Sequence, residues 1–172
     1  TCGHGGHYND TINYAASAGS TIGTVNYHNY YSGCTGDFEI IKITNTDTFS
    51  TSNSINNMYS ITGTLSSPAV GTIIKYYSRT TSSFGYGSVE RRNVTVLADD
   101  RDNISGLTEV KVTSGSCESG DSGGPFFQDA SSGAKYCGVL HGKRTDSSGN
   151  LYVFSHHIHI SLALVFQSGQ TN

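Results

Sequence analysis

The segment whose residues could most clearly take part in a chemical reaction is SCESGDSGGPFF, which runs from Ser116 to Phe127. Its glycines would weaken a plain β-strand, because glycine costs conformational entropy and adds no packing. They allow a sharp turn that presents Ser122 as a nucleophile and aims the amides of Gly120 and Ser122 at one point. A surface turn rich in Ser and Gly would explain an isolated G-x-S-x-G. The six-residue pattern G-D-S-G-G-P is far more specific, and it favours a reactive serine.

Short strand-like segments dominate the chain that must position this serine. They are β-branched or aromatic and are bounded by Gly, Ser, Asn and Asp turns, which predicts an all-β sandwich or barrel. The segments are Glu39–Ile43, Gly71–Tyr77, Asn93–Leu97, Thr108–Thr113, Lys135–Gly142 and Leu151–Ser155. One helix is predicted, from His157 to Gln167. The polar stretch between Ile43 and Gly71 is the best candidate for a crossing between two half-domains.

Composition excludes several classes of function. The chain has 172 residues, of which 13% are charged, about half the usual share, and its net charge is -3. Without a basic patch, nucleic acid is not an expected partner. No apolar run reaches the ~18 residues that a membrane span needs, so no membrane association is expected. We expect a folded, neutral-surfaced extracellular protein whose secretion leader, if it had one, has been removed.

The four cysteines are Cys2, Cys34, Cys117 and Cys137, an even number that allows three pairings. None has CxxC spacing, which disfavours a thiol-based zinc or redox motif. Two disulfides formed in an oxidising compartment are the better interpretation.

The segment CESGDSGGP, Cys117 to Pro125, resembles the nucleophile segment of chymotrypsin-fold serine proteases, specifically of the bacterial streptogrisin and α-lytic branch. That branch has C-x-E-P-G-D-S-G-G, and Glu118 matches its acidic residue. The likeness extends to ISGLTEVKV and TTSSFGYGSVERRNVTV before the motif and to GVLHG and LYVFS after it. It covers the chain from about Gly36 to the C-terminus.

The resemblance implies two six-stranded antiparallel Greek-key barrels and a short C-terminal helix. Residues 1–66 would form the first barrel, which would lack its opening strands, and residues 67–172 would form the second barrel with the helix. The sequence also differs from the family pattern at two single positions. Gly5 stands where the family has a cysteine, and His141 stands where relatives usually carry serine, close to the catalytic aspartate.

The family's catalytic residues follow the order histidine, aspartate, serine. TCGH resembles the family's T-A-[AG]-H-C and would make His4 the general base, while GDFEIIKI would make Asp37 the residue that orients it. Taken alone, His4 and His7 could be a metal pair or part of a glycine-rich terminus, and Asp37 could be a turn residue. The correct order of all three residues favours the triad.

The resemblance also implies the mechanism and the supporting residues. Ser122 would attack a peptide carbonyl while His4 accepts its proton, and Asp37 would hold the imidazole tautomer. The amides of Gly120 and Ser122 would form the oxyanion hole, and Asp121 would brace that loop. The residues expected to contact substrate are Ser119, His141, Gly142 and Lys143.

Primary specificity is weakly encoded. Trypsin-like enzymes carry an aspartate just before the cysteine of the nucleophile segment, whereas the dipeptide GS precedes Cys117 here. Cleavage after Arg or Lys is therefore disfavoured, and an apolar or aromatic preference is the default. His141, Lys143 and Arg144 leave an acidic preference open.

The resemblance pairs Cys117 with Cys137 beside the specificity pocket, and Cys2 would then pair with Cys34 between the base and its orienting aspartate. By chain-entropy estimates each bridge would stabilise the fold by about 3 to 4 kcal/mol.

The sequence thus predicts a secreted, monomeric serine endopeptidase that acts on peptides or proteins and needs no cofactor or metal. A non-catalytic homologue serving as a binding or structural module is the alternative. A third hypothesis is a secreted metal-binding protein built on two histidine clusters. Those histidines are His4, His7, His156, His157 and His159.

Overall fold

The computed structural model of the chain describes residues 3–13, 20–50, 52–97 and 103–157. Its strands are β1 (Thr11–Asn13), β2 (Thr21–Asn29), β3 (Phe38–Ile43), β4 (Ser54–Ile55), β5 (Tyr59–Thr64), β6 (Ile73–Ser78), β7 (Ser83–Leu97), β8 (Asn103–Ser114), β9 (Pro125–Ala130), β10 (Gly133–Thr145) and β11 (Leu151–His157). The helical structure of the described ranges is a single 3-10 turn, Gly3–Gly5. The all-β prediction is therefore confirmed.

Each segment predicted as a strand falls in one of these strands, except that Gly71 and Thr72 precede β6. The residues of β6 show why the pattern is informative. They alternate between buried and more exposed positions, with Ile74 and Tyr76 fully buried on one face and Lys75 on the other. A period of two is the pattern of a strand with one face on a core.

The predicted C-terminal helix falls almost wholly outside the described residues, since only His157 of that segment is described, as the last residue of β11. Across the described ranges we find no helix with the length and apolarity needed to cross a membrane.

The second half of the chain forms one closed barrel. Its strands follow the order β11-β8-β7-β6-β9-β10, and pairing of β10 with β11 closes the ring. β5 pairs in parallel with the first part of β10, at Ala134 to Tyr136, and β4 pairs with β5. The interior is filled by an apolar cluster, and each buried side chain of this size stabilises the fold by about 1.5–3 kcal/mol. The cluster comprises Ile74, Tyr76, Val89, Val110, Cys117, Phe126, Cys137, Leu140 and Val153.

The first half contributes an antiparallel three-stranded sheet, β1-β2-β3. A loop between β2 and β3 attaches this sheet to the barrel, because the amides of Gly33 and Gly36 donate to the carbonyls of Asn103 and Ser105 at 2.9 Å each. Cys34 packs there in a second apolar cluster with Ile104, Leu107 and Phe154. The two-barrel division at residue 66 stays a prediction.

Candidate active site

The loop between β8 and β9 presents Ser122 through glycines that no other residue could replace without strain. Gly120 and Gly123 have φ of 97° and 88°, in the left-handed region that favours glycine. The loop is pinned to β10 by two backbone bonds, from Gly123 N to Leu140 O at 2.8 Å and from Leu140 N to Gly124 O at 2.9 Å. The conformation is the sharp turn that the glycine spacing predicts.

Asp121 fixes the conformation of this loop through side-chain hydrogen bonds. Its Oδ1 accepts bonds from the amide and the hydroxyl of Thr80, at 2.9 and 2.8 Å, and its Oδ2 accepts the amide of Glu118 at 2.8 Å. Burial raises the pKa of Asp121, but the hydrogen bonds from Glu118, Thr80 and Ser78 outweigh it and lower the pKa below its ordinary value. The carboxylate thus ties the serine loop to the end of β6 and the turn that follows it.

Asp37, at the entrance to β3, organises the turn that carries His4. Asp37 is fully buried, and its Oδ1 accepts the amides of Gly3 at 2.5 Å and His4 at 3.0 Å. A Cβ on Gly3 would lie 2.9 Å from the carbonyl oxygens of Asn29 and Phe38, so only glycine permits this approach. The other oxygen, Oδ2, lies 2.6 Å from Nδ1 of His4.

His141 reaches the same oxygen from β10. The register of β10 against β11 shifts between Leu140 and Gly142, which leaves His141 at a bulge without a strand partner. A bulge re-aims the side chain at its extra residue. His141 is buried, and its Nδ1 lies 2.5 Å from Asp37 Oδ2. The His4 and His141 rings meet edge to face, with centroids 5.5 Å apart.

The charge state of Asp37 fixes the tautomers of both histidines. Burial raises the pKa of Asp37, but the hydrogen bonds and charges of His141 and His4 more than offset it, and the pKa lies well below its ordinary value. Since an ionised carboxylate only accepts hydrogen bonds, Nδ1 of each ring must carry the donated proton. In neutral His4 this leaves the lone pair on Nε2, the nitrogen that a general base would use.

Ser122 lines the same cavity as His4 and donates its hydroxyl proton to the backbone carbonyl of His141 at 2.8 Å. The cavity has a volume of about 550 Å³, within the usual range for ligand sites. Each residue predicted to contact substrate lines it. The lining comprises His4, Tyr30, Val96, Leu97, Cys117, Glu118, Ser119, Gly120, Ser122, His141, Gly142, Lys143, Arg144 and Phe154.

The charged side chains of the cavity wall are paired. Lys143 Nζ lies 2.6 Å from Glu118 Oε2, and both side chains are partly exposed. Arg144 lies 2.5 Å from the buried Glu109, which also pairs with Arg91. Burial raises the pKa of Glu109, but the two guanidinium groups lower it below its ordinary value.

Two supporting residues were missed by sequence reasoning. His28 places Nε2 2.9 Å from the carbonyl of Gly3, beside the turn of His4, and Thr80 holds Asp121. Thr80 opens the segment TTSSFGYGSVERRNVTV that carries part of the resemblance, but neither role could be read from the sequence, because both depend on contacts between distant segments.

The cysteines do not settle the predicted disulfides. Cys117 and Cys137 are both buried thiols in the barrel cluster and are not bonded to each other, and burial raises the pKa of each to about 12. Cys34 is buried, and its Sγ donates to the carbonyl of Gly36 at 3.0 Å. Cys2 lies outside the described residues, so its pairing with Cys34 stays a prediction.

Comparison with solved structures gives matches over 95% of the chain. The chymotrypsin of Cellulomonas bogoriensis is 21% identical, with a TM-score of 0.74 and 80% of that chain covered. Protease A of Thermobifida fusca is 25% identical, with a TM-score of 0.71 and 79% covered. A glutamic acid-specific serine protease, described as using a histidine triad in substrate binding, is 24% identical, with a TM-score of 0.73 and 81% covered. No protein-family profile and no curated protein matches the chain.

These matches confirm the resemblance drawn from the sequence. The structural neighbours are bacterial chymotrypsin-like and α-lytic-like serine proteases, and the chain shares their fold. The structural neighbours support a protease fold. Assignment of a catalytic triad depends on the residues of this chain and their contacts.

Proposed function

We propose that this chain is a secreted serine endopeptidase with His4, Asp37 and Ser122 as its triad. The observation that carries the proposal is the 2.6 Å contact of His4 Nδ1 with a buried, ionised Asp37, on a cavity that Ser122 shares. A buried carboxylate, an imidazole and a serine on a glycine-rich loop are the parts that serine acyl transfer requires.

The first step forms an acyl-enzyme. Ser122 Oγ bonds to the carbonyl carbon of the substrate while its proton passes to His4 Nε2, and the carbonyl π electrons move to oxygen. Because the hydroxyl donates to the carbonyl of His141 in the free protein, it must rotate before it can donate to His4. Catalytic hydrogen bonds often form only once substrate is bound. His4 then protonates the leaving amine as the C–N bond breaks, and water reverses the sequence to release the acid.

The amides of Gly120 and Ser122 would stabilise the oxyanion formed in both steps. Such preorganised donors typically contribute about 10²- to 10³-fold each to the rate. The segment from His141 to Lys143 on β10 would pair with the substrate backbone, which is why a peptide or protein is the expected substrate. We further propose secretion, a monomer, the two-barrel division given above, and oxidation of the four cysteine thiols to two disulfides in an oxidising compartment.

The proposal is tested by labelling the purified protein with a fluorophosphonate probe and mapping the modified peptide. Labelling of Ser122 that is lost after heat denaturation would mean that base and oxyanion hole are assembled. Ser122→Ala should lose both label and hydrolysis while its circular dichroism spectrum and unfolding midpoint stay the same. Full hydrolysis by the variant would overturn the assignment.

The second candidate is a non-catalytic homologue that uses the cavity for binding. The observation in its favour is that Ser122 donates to the carbonyl of His141, on a chain whose histidine at position 141 replaces the serine usual in relatives. Folded protein that takes no label, even with small substrates present, would favour this function.

A further inference from the structure

We propose that His4, Asp37 and His141 form a binding site for a zinc-class divalent cation, and that the bound cation switches off the proposed serine chemistry. One ring nitrogen from each histidine and a carboxylate oxygen of Asp37 lie within 4.8 Å of one another, and Nδ1 of each histidine lies beside Asp37 Oδ2. Two imidazoles and one carboxylate are a ligand set that zinc binds in proteins, usually with water as a fourth ligand. The inhibitory part rests on the proposed function, whereas the binding part does not.

The separations within the cluster need little change to admit an ion. Zinc lies about 2.0–2.1 Å from imidazole nitrogen and about 2.0–2.2 Å from carboxylate oxygen. For tetrahedral angles the two N–O distances, 2.6 Å for His4 and 2.5 Å for His141, would each widen by about 0.8 Å. His4 is one-third exposed on a single-turn helix, so it has more room to move than the buried His141.

The outer contacts of a metal site are already present. Oδ1 of Asp37 accepts the amides of Gly3 and His4, which fixes the carboxylate and leaves Oδ2 as the ligand atom. His141 is held by burial at the β10 bulge. Such outer partners orient ligands and strengthen binding about 10- to 100-fold. His4 and His141 both line the cavity, which gives the ion a path and water for the fourth position.

Binding would disable the base by moving a proton rather than by blocking the cavity. In the free site Nδ1 of His4 carries the proton that it donates to Asp37. A metal ion needs the Nδ1 lone pair, so the ring proton must transfer through solvent to Nε2. Nε2 is the atom that would accept the proton of Ser122. A metal-loaded protein therefore has no proton acceptor for the attack, although its cavity stays open.

The binding test uses Ser122→Ala, so that it does not depend on hydrolysis. We expect calorimetric titration with ZnCl₂ to show one site, and Ser122→Ala/His141→Ser to bind at least about 100-fold more weakly because a direct ligand is lost. Serine at position 141 can still donate to Asp37, so the fold is preserved. Ser122→Ala/His7→Ser is the matched control, since His7 lies near Asp10 on the surface, and it should bind zinc unchanged. No binding, or equal binding with serine at position 141, would overturn the proposal.

The inhibition test uses the active protein. Zinc should suppress fluorophosphonate labelling of Ser122, and a chelator should restore it, while His141→Ser should resist suppression by about the same factor as its loss of zinc affinity. Zinc bound with unchanged labelling would overturn the inhibitory part. Protein that takes no label in chelator alone would contradict the proposed function and leave the calorimetric result to decide the site.

Discussion

Nδ1 of His141 lies 2.5 Å from Oδ2 of Asp37, the same oxygen that His4 approaches to 2.6 Å. A single carboxylate oxygen thus accepts from two imidazoles. The two donors compete for its lone pairs and for its negative charge. In the proposed triad, His141 would therefore act as a positioning residue for Asp37, and it would limit how strongly Asp37 can stabilise positive charge on His4.

Replacing His141 should move the pH dependence of activity. In His141→Leu, Asp37 interacts with His4 alone, so we expect the acid limb of the kcat/KM profile to lie at higher pH than in the parent, where activity should fall below about pH 6 to 7. We also expect at least about a tenfold loss in kcat/KM, because a buried acceptor loses a partner. His141→Ser should recover most of that loss. The profiles are measured with chelator present, and an unmoved acid limb in both variants would contradict the positioning role.

Asp121→Asn should destabilise the loop that carries Ser122. An amide side chain can accept on one side only, so its NH₂ group would face a donor that the carboxylate now accepts, either Glu118 N or the Thr80 pair. We expect a loss of about 2–4 kcal/mol in the free energy of unfolding, measured with urea, and slower labelling of Ser122. The matched control is Asp129→Asn, which breaks a partly exposed pair with Lys75 and should cost under about 1 kcal/mol. Equal effects in the two variants would contradict the bracing role.

Protonation of the Asp121 carboxylate should make the protein less stable in acid. The pKa of Asp121 is lowered in the folded state. Its contribution to the free energy of unfolding is therefore complete above the unfolded-state pKa of about 3.9 and is lost as the pH falls through the folded-state pKa. Arg91 and Arg144 also lower the pKa of Glu109, so its protonation in acid should likewise reduce stability. The unfolding free energy should therefore decline from about pH 5 downward. Asp121→Asn should show a shallower decline, and an unchanged slope would argue against this linkage.

The pairing of Glu118 with Lys143 allows the substrate preference of the proposed protease to be tested. The ion pair spans 2.6 Å at the edge of the cavity and neutralises the lysine. Glu118→Gln should leave Lys143 uncompensated and raise kcat/KM for substrates with Glu before the scissile bond relative to Phe. We expect a change of about three- to tenfold, since partly exposed pairs contribute up to about 1 kcal/mol. Glu118→Gln/Lys143→Met should return the ratio to the parent value or below it, and a ratio unchanged in Glu118→Gln would mean that Lys143 does not contact the side chain.

Much of the barrel and of the serine loop could be predicted from sequence, because local patterns dictate them. The alternation of buried and exposed residues in β6 and the glycines around Ser122 each determine the backbone conformation within a few residues. The role of His141 could not be predicted in this way. It depends on a shift of register at Leu140 and on Asp37, which is more than a hundred residues away in the chain.

Gly3 should prove as important to the site as the residues that do its chemistry. A Cβ at position 3 would lie 2.9 Å from Asp37 Oδ1 and 2.9 Å from the carbonyls of Asn29 and Phe38, closer than side-chain carbons pack. Gly3→Ala should push the His4 turn away from Asp37 and lower kcat/KM about 100-fold, since small misplacements of catalytic groups have effects of that size.

Gly63→Ala is the matched control for this change, because a Cβ at position 63 on β5 meets nothing within 4 Å. It should leave kcat/KM and fluorophosphonate labelling unchanged. If Gly3→Ala also retains both, the turn adapts without moving His4. The close packing around Asp37 would then not be what positions the base.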